Sequence, residues 1–127
     1  MLDIFAASFL VFAYFATALF QLAIVLGAPL GEYAFGGQQV GKLPTGFRVA
    51  SFFSMGLMFA LAGHYLAQTP LLDPLLDTNG NAIANWVIAG LAALSALMNN
   101  ITRSQKEKRL WGGTTIAMLL AAVIVAV

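Results

Sequence analysis

Cysteine is absent from this chain of 127 residues, which excludes disulfides, thiolate metal sites, c-type haem attachment and a cysteine nucleophile, and leaves the redox compartment unreadable from thiols. Histidine is nearly as scarce. His64 stands alone, so the bis-histidine ligation of a membrane cytochrome is excluded, while a single-ligand haem stays chemically open beside the plainer reading of an interfacial imidazole next to Tyr65. Charge is thin as well: Asp, Glu, Lys and Arg make up 9% of the chain, against about 25% in a typical soluble domain. No metal or cofactor is expected, and a net charge of +1 gives no reason to expect a nucleic-acid partner.

What fills the chain is apolar. Hydrophobic residues account for 61%, against roughly 45–50% in soluble domains, and they gather in four nearly charge-free segments at about 4–26, 49–67, 83–101 and 110–127. A charge within a span costs several kcal/mol, so such segments read as transmembrane helices. The first begins behind the acidic leader Met1-Leu2-Asp3 and exceeds the usual signal-peptide core of about 7–15 residues, so it is expected to stay as a span rather than be removed. The fourth is the shortest and is expected to stand upright or thin the bilayer locally. The fold class expected is all-α: a single-domain, polytopic four-helix bundle in a cell membrane, the inner membrane if the host is a Gram-negative bacterium.

Orientation follows from the basic residues. Lys42 and Arg48 flank the first connection and Arg103, Lys106, Lys108 and Arg109 lie in the third, while the second carries Asp73 and Asp77 and no Lys or Arg. Positive connections stay inside. Residues 31–48 and 102–109 are therefore expected in the cytoplasm, and both termini outside.

The first connection is unusual in composition: six of the twelve glycines and two of the four prolines fall within residues 27–46. Gly27 and Pro29 suit a helix stop. Leu30, Tyr33, Phe35, Val40 and Leu43 make the rest too apolar for a solvated linker, so it is expected to fold back over the mouth of the bundle. Its glycines either allow tight turns and close approach or form an anion-binding nest of backbone N–H groups beside Lys42 and Arg48. Neither a Walker loop nor a dinucleotide fingerprint is present.

Polar residues gather toward the same side. Gln21, Glu32, Arg48, Asn99, Asn100 and Arg103 form a candidate polar or substrate site, with Glu32 expected to pair with Arg48 or Arg103. A cap of structural hydrogen bonds is the competing reading. Trp86 and Trp111 are expected to anchor the bundle at opposite interfaces. Gly56, Ala60 and Gly63, advancing by four and three positions, form a candidate helix-packing face. The excursion from Thr69 to Gly80 is expected to end in an Asn79-Gly80 turn.

The sequences Phe20-Gln21, Leu26-Gly-Ala-Pro-Leu-Gly-Glu-Tyr-Ala-Phe-Gly-Gly37, Leu43-Pro44 with Arg48, and Met98-Asn-Asn with Arg103-Ser104 before Glu107 and Trp111 resemble a group of small bacterial integral membrane proteins without assigned activity. That resemblance covers most of the chain and implies a four-span fold and no chemistry. Small multidrug transporters share the size and span count, but their pattern calls for an acid within the first span, and Ile4 to Leu26 has none. Two function classes follow. One is a non-catalytic interaction protein among membrane lipids, either a subunit of a larger complex or a small homo-oligomer; the other is a small-solute or ion transporter using the polar residues at the cytoplasmic side.

Overall fold

A computed structural model describes all 127 residues. Four helices are each long and apolar enough to cross a membrane: α1 (Leu2–Val25), α2 (Thr45–Leu66), α3 (Thr78–Ile101) and α4 (Gln105–Ala126). The apolar runs forecast their cores, and the ends differ for local reasons. The helix α2 starts directly after Pro44, whose missing N–H costs nothing at a helix start. The helix α3 begins at Thr78, because the Asp77 side chain accepts from the Gly80 N–H at 2.6 Å. The expected Asn79-Gly80 turn is thus the first turn of a helix, and neither residue has positive φ.

The fourth helix is not short. It starts at Gln105, capped by Ser104, whose hydroxyl accepts from the Glu107 N–H at 3.1 Å. It then runs through a π-helical segment at Lys108–Gly112. Its 22 residues extend roughly 33 Å at about 1.5 Å each, but the added first turns carry Lys106, Glu107, Lys108 and Arg109, so the apolar stretch beginning at Leu110 keeps its length. The π segment shifts the register of the backbone ladder, and side chains take up its carbonyls. Asn100 Nδ2 donates to Gly112 O at 3.1 Å, and Thr115 Oγ1 to Trp111 O at 2.6 Å.

Packing runs in the order α2, α1, α4, α3: α1 lies against both α2 and α4, and α3 lies against α4. The ring is left open between α2 and α3 toward the basic connections and is closed by side chains, His64 to Asn85, at the other end. Leu10, Tyr14, Tyr65, Ile88 and Met118 belong to the main core, with Tyr14 and Tyr65 stacked at 5.9 Å between ring centroids. A second, smaller core sits where the glycine-rich connection folds back onto α1 and α2, with Ile24, Ala34 and Leu43 buried beside Phe20, Phe35 and Phe47. Only 25 of 127 residues are buried, and large apolar side chains point outward, Phe12 at 75% and Phe53 at 70% exposure. Such a surface suits hydrocarbon surroundings, where helices cohere by close packing rather than by expulsion of water.

Candidate functional site

The two basic connections are laced together at one end of the bundle. Ser104 Oγ donates to the Glu32 carbonyl, Trp111 Nε1 donates to Tyr33 O at 3.1 Å, and the Gly36 N–H donates to Glu107 Oε2 at 2.8 Å. The last contact brings the glycine-rich loop onto α4, where its acceptor is Glu107, a buried carboxylate projecting from the first turn of that helix. Reaching it bends the loop hard: Phe35 takes φ 53 and Gly36 φ 74. Positive φ is costly for a bulky residue, and the Phe35 ring is held edge-on to Phe47 at 5.0 Å. Loop closure also needs Gly31, whose N–H donates to Gly41 O at 2.8 Å.

The expected polar cluster divides among different tasks. Glu32 pairs with Lys106, not with Arg48 or Arg103. Arg48 is unavailable because its Nε and Nη2 donate to Val25 O at 3.1 and 2.7 Å, placing a cation on an orphan carbonyl at the end of α1. Asn100 holds Ala96 O and Gly112 O, joining α3 to the π segment of α4. Asn99 is half-buried and donates to Ser95 O of its own helix at 2.8 Å. Because both side chains of the Glu32–Lys106 pair keep substantial exposure, 30% and 54%, water can replace each partner. Glu32→Gln is therefore expected to leave the detergent melting curve almost unmoved, measurably less displaced than that of a Glu107 variant.

Gln21, Asn99 and Arg103 remain together at a cavity of about 850 Å3 that lies where α2 and α3 splay apart toward the basic end. Leu57 and Leu61 of α2 face Leu91 and Met98 of α3 across it. Gln21 Oε1 is buried there without a hydrogen-bond partner. The cavity runs from Arg103 and Trp111 at the basic end to Tyr14 and Met118 midway along the bundle. A smaller hollow of about 350 Å3 adjoins it, lined by Glu32, Gly37, Ser104 and Lys106, and the two share Gly36 and Arg103.

Beyond the cavity, toward the chain termini, polar side chains tie α2 to α3. His64 Nε2 lies 2.8 Å from Asn85 Oδ1, and the Gln68 and Asn85 amides bond reciprocally at 2.9 and 2.8 Å. The residue-level reading of His64 as an ordinary interfacial imidazole overlooked this network. The available signal was weak, since Gln68 lies in the turn just past the end of α2 and reaches back to His64 from there. Trp111, expected as an interface anchor, also serves as a hydrogen-bond tie and packs edge-on to Phe20 at 4.9 Å. Gly56 and Ala60 are exposed, and a Cβ added at Gly56 or Gly63 would meet nothing within 4 Å. Comparison with protein-family models, with curated proteins and with solved structures finds no match.

Proposed function

We propose that the chain is a non-catalytic integral membrane protein that acts by association within the bilayer, as a subunit of a larger complex or as a small homo-oligomer. The proposed topology places both termini outside and residues 31–48 and 102–109 in the cytoplasm, on the basic side. The observation that carries the reading is what the charged groups do. Glu107 holds the loop, Arg48 holds the end of α1 and Glu32 holds Lys106, so groups suited to catalysis or ion coupling are committed to joining helix ends. The transporter alternative draws on the cavity beside Gln21 and Asn99. That cavity, however, stops midway, short of the His64–Asn85 contact, which fits a pocket better than a path.

The association face is the outer side of α2. At about 100° per residue, Gly56, Ala60 and Gly63 stand opposite the cavity-lining Leu57, Met58 and Leu61, so a neighbouring helix can approach them without entering the bundle. The double variant Gly56→Leu with Gly63→Leu is expected to keep its melting curve and lose association, read by crosslinking in membranes and native mass spectrometry. Unchanged association would refute this face. Unfolding instead would show that the stripe packs inside the subunit.

A further inference from the structure

We propose that the cavity between α2 and α3 is a binding site for one anionic glycerophospholipid, taken laterally from the bilayer, with an acyl chain in the cavity and the phosphate at Arg103. The inference rests on the four-span placement proposed above and concerns a site on the opposite side of α2 from the association face.

Three features specify an amphiphile of this kind. The first is shape: α1 packs on α2 and α4, α4 packs on α3, and α2 and α3 diverge on the basic side of the His64–Asn85 contact, so the cavity opens sideways there, where a lipid chain can enter without leaving hydrocarbon. Leu57 and Leu91 on its two sides are about half exposed, at 48% and 47%. The volume of about 850 Å3 lies within the roughly 300–1,000 Å3 of ordinary ligand pockets. A single chain uses this space along its length, because the cavity continues from the basic end to the middle of the bundle.

The second feature is polarity along that length. The inner reach is mainly apolar, at Leu61, Leu91 and Met118, with the hydroxyls of Thr17, Ser54 and Thr115 in its wall, whereas the basic end offers Gln21, Asn99 and Arg103. Gln21 Oε1, buried and without a partner, is an acceptor awaiting a donor at the depth where a glycerol hydroxyl or an ordered water would sit. The smaller, polar hollow continues from the same end past Gly36 and Arg103, giving a headgroup room outside the apolar reach.

The third feature is charge. Lys106 is neutralised by Glu32, and Glu107 is occupied by the Gly36 N–H. Arg103 takes part in neither of the chain's two salt bridges, yet it borders both hollows. A guanidinium offers a fixed fork of donors that fits a phosphate. Lys108 and Arg109 follow in the next turns and add to the positive field at this surface. A neutral quinone or a zwitterionic lipid gains less from that field than an acidic lipid does.

Trp111 lines the cavity, whereas Trp86 is exposed on α3 and lies outside it, so bromine on a bound acyl chain reports through Trp111. In the Trp86→Phe protein reconstituted in phosphatidylcholine, chain-brominated phosphatidylglycerol is expected to quench Trp111 with saturation at low mole fraction. Brominated phosphatidylcholine should quench only in proportion to its bulk amount. Arg103→Gln should weaken the saturable phase about fivefold, the factor for one basic group at a membrane surface. Ala92→Phe, which fills the cavity from α3, should abolish that phase while a native mass spectrum of the folded protein loses its retained lipid. Identical quenching by the two lipids, or saturable quenching untouched by both substitutions, would overturn the proposal. So would a retained quinone or an unrelated protein helix in that mass spectrum. The four-span placement is tested separately by thiol labelling, so its failure can be told from the failure of the lipid site.

Discussion

Replacing Glu107 by alanine is expected to loosen the Gly36 turn of the glycine-rich loop from α4 and to lower the stability of the protein, while the ties of Ser104 to Glu32 and of Trp111 to Tyr33 remain. The buried carboxylate is the acceptor for the Gly36 N–H at 2.8 Å, and no other acceptor holds that group in the observed conformation. A hydrogen bond to a charged acceptor contributes about 1.5–3 kcal/mol, and the exposure of Gly36, which lets water take the vacated place, puts the loss at the lower end of that range. The strain at Phe35, with φ 53, would then be opposed only by the packing of its ring on Phe47 and by the neighbouring ties at Glu32 and Tyr33, so the effect should extend to the loop's path between residues 35 and 37. Thermal unfolding in mild detergent gives the first quantity, and limited proteolysis between residues 31 and 44 gives the second. Glu107→Gln keeps an amide oxygen to accept from Gly36 and is expected to restore most of the loss. Equal damage by both variants would show that charge, rather than acceptance of this hydrogen bond, is what α4 contributes.

Gly31→Ala is expected to be comparably severe for a steric reason. A Cβ there would stand 2.6 Å from Gln39 O and 2.7 Å from Gly41 O. Both are backbone atoms, so no rotamer change relieves the clash, and the 2.8 Å bond from Gly31 N–H to Gly41 O must stretch or break. Overpacking of this kind costs about 1–3 kcal/mol and sometimes more. Loss of protease resistance at residues 31–44, with the long helices retained by circular dichroism, is the expected outcome. Gly46→Ala, where an added Cβ meets nothing within 4 Å, is the control and should leave the loop intact. An unaffected Gly31→Ala protein would mean that the loop closes differently.

The four long helices were legible because each core lacks charge over the length that a hydrocarbon layer requires. The start of α4 was harder. Arg103, Lys106, Lys108 and Arg109 made residues 102–109 read as a solvated loop, and the charges obscured the Ser104-Gln-Lys-Glu107 pattern that marks a helix start. In a usual capping box the fourth residue turns back to the cap; here Glu107 turns away to Gly36, which no local pattern encodes. Pairing of Glu32 was likewise decided in three dimensions. Arg48 and Arg103 were the sensible partners by charge, but Arg48 meets the end of α1 and Lys106 comes within reach only because α4 begins early. The cavity had no sequence signature: its cause is the divergence of α2 and α3 on the basic side of the His64–Asn85 contact, and absence of packing cannot be read from either helix alone.

Membrane placement is the premise on which both the association face and the lipid site depend, and the natural absence of cysteine makes it directly measurable. Gln105 and Asp73 are both exposed, so a thiol at either position is reachable from its own side of the membrane. With a membrane-impermeant maleimide on intact cells, Asp73→Cys should label at once and Gln105→Cys only after permeabilisation, as expected if the basic connections face the cytoplasm. Labelling of Gln105→Cys from outside with Asp73→Cys protected would invert the topology, and equal labelling of both in intact cells would contradict a four-span protein altogether.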